Sequence, residues 1–73
     1  MVEVGQLRRW TYNHPPVPSE WYDEVFLVIE ARPRWRTASG VTMTSWTIMI
    51  HGTVEGCWNE RDLETMSEVI DEG

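Results

Sequence analysis

Lysine is missing from the chain, Cys57 is its sole cysteine, and His14 and His51 are its only histidines. One thiol cannot close an internal disulfide. With two imidazoles it also falls short of the usual four-ligand zinc site. A lone thiol fits a reducing compartment. No run of 18 apolar residues occurs and no apolar block follows a basic start, so neither a transmembrane helix nor a secretory leader is expected. Glu60, Asp62 and Glu64 have a spacing somewhat like that of cation ligands, but the glycine and closing acid of a calcium loop are missing. No metal or cofactor is expected. His51 with Cys57 is the one nucleophile–base pairing available, and nothing supplies an orienting third group or an oxyanion hole. The expectation is a non-enzyme with no catalytic residue.

A 73-residue chain without covalent or metallic reinforcement makes a single domain whose stability rests on side-chain packing, on oligomerisation or on a partner. The formal charge of −6 is placed unevenly. Residues 1–54 hold five acids and five arginines, whereas residues 55–73 hold seven acids against Arg61 alone. Such an end repels phosphate and argues against non-specific nucleic-acid binding.

Against these shortages stand five tryptophans, Trp10, Trp21, Trp35, Trp46 and Trp58, separated by 11, 14, 11 and 12 residues. Turn-separated short strands recur at about this interval in small all-β domains. A large ring once per strand lets a short chain bury enough apolar surface to fold. Trp10 and Trp46 sit mid-strand and are expected in the core. At least one of Trp21, Trp35 and Trp58 is expected to be partly exposed.

Residues 2–12 read as a strand kinked at Gly5, with Trp10 and Tyr12 on one face. Residues 13–20 hold three prolines in four positions and make a stiff, extended loop. Residues 24–32 are the clearest strand. Val25, Leu27, Ile29 and Ala31 share one face, and Phe26 and Val28 the other. Apolar residues on both faces mark a central strand or one with a covered outer side. Pro33 is expected to stop it. Residues 32–40 form a hairpin-like connection with a turn at Ser39-Gly40. Residues 41–51 are a long strand with Trp46, Ile48 and Ile50 on one face, and a short strand follows through Val54, Cys57 and Trp58. Asn59 is a good N-cap for one helical turn over 59–62. A closing strand is expected near 63–67 and a frayed acidic tail over 68–73, although residues 63–71 also fit helical spacing.

The opening Val4-Gly5-Gln6-Leu7-Arg8 resembles the V-G-D-L-V start of many small SH3-like barrel proteins encoded by tailed bacteriophages. The segment Trp58-Asn59-Glu60-Arg61-Asp62-Leu63-Glu64 resembles their closing W-x-x-x-D-L-E. Together the two segments cover about a quarter of the chain; the proline loop and the arginine-rich turn match no part of that pattern. The element order is that of such a barrel, so the expected fold is all-β, a five-stranded SH3-like small barrel with one short helical turn near the C-terminus. The resemblance implies a small phage protein acting in the virion or the host cytoplasm, and it transfers no catalytic residue.

The candidate partner-binding residues are Arg32, Arg34, Trp35 and Arg36 of the basic turn, Pro16 of the proline loop, and Trp21. Guanidinium forks beside an indole suit carboxylate or phosphate. Equally, such arginines pair with acids of their own chain at a hairpin tip. Pro15 and Pro18 have P-x-x-P spacing, and the same prolines serve as a structural loop packed by Trp21 and Tyr22. The expected function is protein–protein interaction, with a phage structural protein or a host protein as partner. This would make the chain either a virion accessory (capsid decoration or head–tail) or a host-directed early protein. A homo-oligomer is compatible with so small a core. The alternative is a nucleic-acid-binding barrel, which requires Arg8, Arg9 and the Arg32–Arg36 turn to converge on one face. No membrane partner is expected.

Overall fold

Gln6, Arg8 and Trp10 alternate inward along the first strand, β1 (Leu7–Trp10), and set the plan of the molecule. The computed structural model describes residues 1–36, 38–40 and 42–71, with the side chains of residues 33–36, 42 and 43 outside that description. Four further strands follow: β2 (Val25–Arg36), β3 (Thr42–Ile50), β4 (Thr53–Asn59) and β5 (Ser67–Asp71). They form one antiparallel sheet in the order β4-β3-β2-β1-β5. A short helix, α1 (Glu60–Met66), sits between β4 and β5. This is the expected five-stranded SH3-like arrangement, with its long loop between β1 and β2.

The sheet is strongly curled. Trp10 on β1 and Trp58 on β4 are three strand steps apart, which in a flat sheet amounts to about 14 Å at ~4.8 Å per step. Their ring centroids are 5.1 Å apart. Trp21, on a single 3-10 turn (Ser19–Trp21), stacks on Trp10 at 5.9 Å, and Phe26 meets Trp10 at 4.6 Å. Around this aromatic cluster lie Val2, Val17, Val28, Trp46, Ile48, Ile50 and Leu63, all buried. Trp10 and Trp46 are thus core residues, as their mid-strand positions predict.

Three elements run differently from the sequence expectation. Strand β2 continues through Pro33 to Arg36. Strand β1 pairs with β2 only at residues 25–27, so at Pro33 the ladder is made with β3 alone, and a register irregularity follows between Pro33 and Trp35. Proline is tolerated in a strand at such one-sided or bulged positions. The register also shifts between Val28 and Glu30. That shift turns Ala31 to the core side, opposite Trp46, whereas Leu27 of the same alternating set faces outward.

The third difference is at the end of the chain. The helix runs for two turns, not one, and the closing strand occupies Ser67–Asp71. Residues 68–71 are therefore paired with β1, which overturns the frayed tail for those residues; 72 and 73 lie outside the described residues. The helix extends because Leu63 and Met66 both reach the core from one of its faces. Asn59 caps it as predicted, its Oδ1 accepting from the Asp62 backbone N–H at 2.7 Å.

The buried Arg8 fastens this end of the fold. Its Nε donates to Ser67 Oγ at 2.8 Å, and Nη1 donates to Gln6 Oε1 at 3.0 Å. Nη2 donates to the carbonyls of Leu63 at 3.1 Å and Ser67 at 3.2 Å. The Ser67 hydroxyl in turn donates to the Leu63 carbonyl. Burial lowers the guanidinium pKa, and the charge of Glu64 opposes that shift. The guanidinium stays charged, as arginine does throughout proteins, and its charge is solvated by peptide and amide oxygens.

Candidate functional site: the outer face of the sheet

The face of the sheet turned away from the core carries a row of apolar residues aligned by register. Val54 on β4 lies opposite Met49 on β3, Met49 opposite Leu27 on β2, and Leu27 opposite Leu7 on β1. The row ends at Asp71 on β5. Val25, next along β2 on the same face, stands opposite Arg9. Val54 is 57% exposed, Val25 42% and Met49 39%, and Leu7 and Leu27 are half-buried. These side chains point outward because Trp46, Ile48, Ile50, Phe26 and Val28 occupy the alternate, inward positions.

Both flanks of the row are charged. On one side Arg32 Nε pairs with Glu30 Oε1 at 2.9 Å, beside a shallow open groove of about 320 Å³ lined also by Ser45, Thr47, Val54, Gly56 and Cys57. On the other side Arg9 Nη2 donates to Glu68 Oε1 at 2.9 Å, and Asp23 Oδ1 lies 3.7 Å from Arg9 Nε. The hydrogen bond that Arg9 donates to Glu68, and then the charge of Glu68, raise the Arg9 pKa further. His51 heads the two-residue β3–β4 turn with Gly52 (φ 53° and 73°). The left-handed pair fits the twist of a hairpin. His51 Nε2 lies 3.2 Å from Glu24 Oε2.

The predicted site residues are scattered over this frame. Arg32 is exposed on the outer face, next to the groove. Pro16 is exposed in the β1–β2 loop, after a cis Pro15–Pro16 bond. Trp21 is only 9% exposed and stacked in the core, so its ring packs the fold and is not offered as a contact face. The aromatic cluster draws it inward because a core this small has few other large rings to fill it. Trp58 is half-buried against the same cluster. The side chains of Arg34, Trp35 and Arg36 lie outside the described residues. The composite surface of proline loop, basic turn and exposed indole is therefore not assembled around Trp21.

Of the described arginine side chains, Arg8 does not join Arg9 and Arg32 on the outer face. Arg8 points into the core and Arg9 is engaged by acids on the outer face. His51 lies in the turn before β4 and Cys57 towards the far end of that strand, and His51 faces Glu24. Among the described residues no group of three or more His, Cys, Asp or Glu side chains is placed to hold a metal ion, and no helix is long and apolar enough to cross a membrane. What sequence reasoning missed is the apolar row itself. Its one signal was the second apolar face of β2, Val25 and Leu27, which belongs to a strand covered on both sides. Comparison with known proteins finds no matching family model, no matching curated protein and no matching solved structure.

Proposed function

We propose that this chain is a non-enzymatic protein–protein interaction module that offers the outer face of its sheet to a protein partner. The observation that carries the reading is the register-aligned row Val54–Met49–Leu27–Leu7, apolar and uncovered beside the Arg32–Glu30 pair. Contiguous exposed apolar patches rimmed by polar groups are where proteins meet. The rim ion pairs supply orientation more than affinity. Resemblance at residues 4–8 and 58–64 to phage-encoded SH3-like barrels supports a phage setting, in which the module is either a virion accessory or a host-directed early protein.

A photo-crosslinking residue placed at position 54 tests the contact face in infected cells, with position 20 in the β1–β2 loop as the control site. Covalent capture of a defined polypeptide from position 54, and not from position 20, is expected. Equal capture from both, or none from 54, removes the outer face as the contact. Stoichiometric recovery of the chain in purified virions then selects the accessory role, and its absence the host-directed one. Salt-dependent binding of the purified chain to DNA or RNA would instead favour the nucleic-acid reading.

A further inference from the structure

We infer that the outer face takes one extended segment of another protein, lying along β2 and carrying the order apolar–x–apolar–x–basic. The inference rests on the proposal that this face is a protein contact and names the chemistry of its partner. Shape sets the first condition. The curl that brings Trp10 to Trp58 bends the sheet across its strands, so the outer face is convex in that direction. Along β2 it runs straight: the β1–β2 register is regular over residues 25–27, and the first irregularity comes after Val28. A broad surface meets such a ridge only in a narrow strip, whereas a single extended chain follows it.

The order of the segment is set by what lies along that strip. Leu27 stands between Leu7 and Met49. Val25 follows two positions away on the same face, 42% exposed. Asp23 is next in the alternation, and its backbone N–H donates to the Trp10 carbonyl at 3.0 Å, which carries the β1–β2 ladder on to it. Alternate residues of any extended chain repeat at about 6.6 Å, so a segment with apolar residues over Leu27 and Val25 brings its next alternate residue over Asp23. Charge decides what that residue is. Asp23 and Glu68 both lie against the single guanidinium of Arg9, at 3.7 and 2.9 Å, and their side chains are 74% and 53% exposed. Two accessible carboxylates on one cation leave this end negative, so a lysine or arginine fits there and a carboxylate is repelled. The same excess, in a chain of net charge −6, turns a second copy away. Residues 55–64 hold further acids but expose no large apolar side chain of their own, so they offer charge without apolar contact.

Titration of the isotope-labelled chain with capped peptides in the millimolar range, followed by NMR shifts, tests this. The probes are Leu-Ser-Leu-Ser-Lys, the same peptide ending in Glu, and the reordered Lys-Leu-Leu-Ser-Ser. The first should shift Val25, Leu27 and Met49 and bind at least about tenfold more tightly than the glutamate peptide, an advantage that shrinks as salt is raised. The reordered peptide should bind more weakly than the first. Asp23→Asn combined with Glu68→Gln, both at exposed positions, should remove most of the lysine advantage while near-UV circular dichroism of the tryptophan core stays native. Equal affinity for the lysine and glutamate peptides, shifts confined to residues 55–64, or no binding of the lysine peptide overturns the inference. Should the double variant lose its fold, the comparison of peptides on the wild-type chain still decides. In cells, capture from position 54 of an acidic segment, or of another copy of this chain, would sink the basic segment while leaving the contact face standing. No capture from 54 would remove both.

Discussion

Trp10 and Trp58 touch across the interior, ring centroids 5.1 Å apart, although β2 and β3 lie between their strands in the sheet. The contact closes the curl. Trp58 also meets Trp21 at 5.9 Å and lies opposite Trp46 in the β3–β4 register. Trp58→Ala therefore removes a ring that joins β4 to β1 across the interior. Such a truncation should cost about 2–4 kcal/mol, against only about 1 kcal/mol for Trp58→Phe. Urea denaturation followed by tryptophan fluorescence measures both. Equal midpoints for wild type and Trp58→Ala would show that the curl is held by other contacts.

Arg8 is a second point of closure. Its four hydrogen bonds reach Gln6, Leu63 and Ser67, tying β1 to α1 and β5. Arg8→Met leaves buried acceptors without donors and should lose about 3 kcal/mol of stability. Arg8→Lys retains the charge but cannot reproduce the planar fork, and about 2 kcal/mol is expected. Midpoints within experimental error of wild type for both variants would mean that the guanidinium is replaceable by water.

The α1 cap is measurable separately. Asn59 accepts from the Asp62 N–H and its amide donates to Asp62 Oδ2 at 3.1 Å. Asn59→Ala should cost about 1 kcal/mol, and Asn59→Asp or Asn59→Ser far less. Thermal unfolding of the three variants gives the comparison, and an unchanged Tm for Asn59→Ala contradicts the assignment.

Glu60 sets one pH dependence. Burial raises its pKa above the ordinary 4.5, and the hydrogen bond and charge of neighbouring Glu64 add to that shift; the Met1 ammonium and the Trp46 indole oppose it. A raised carboxyl pKa in the folded state means that the native protein holds a proton the unfolded chain has released. Its contribution therefore turns unfavourable as pH rises through the window that starts near 4.5 and ends above the folded value. Glu60→Gln removes that term. The variant should be the more stable at pH 7, by less than about 1 kcal/mol for a group only partly buried. The advantage should fade in strongly acidic solution. Tm values across this range test the sign, and a variant less stable at pH 7 would reverse it.

The fold class was legible because it rests on what alternation and aromatic spacing report. Trp10, Trp46, Ile48 and Ile50 face inward as their strand periodicity indicates. Asn59 caps a helix because its side chain competes for backbone donors in any context that lets a helix begin. Less legible were features set by neighbours in space. Pro33 breaks a central strand but not one with an open side, and the sequence does not say on which side β1 stops. Arg8 alternates with Gln6 and Trp10, yet a charged residue in that phase is ordinarily taken as solvent-facing. Trp21 follows a proline loop and reads as surface, but the curl of the sheet draws it under. The apolar row is invisible in one dimension, since Leu7, Leu27, Met49 and Val54 become neighbours only through the register of four strands.

Pairing of β1 with β5 joins residues about sixty positions apart, and Arg8 is desolvated only when Ser67 arrives. Contacts of such separation slow folding, because most of the chain must be ordered before they form. On a translating ribosome β1 therefore has to wait, its guanidinium hydrated and its tryptophan uncovered, until the residues of β5 have emerged. Of the five strands β1 is thus made before the other four and secured only with the last of them.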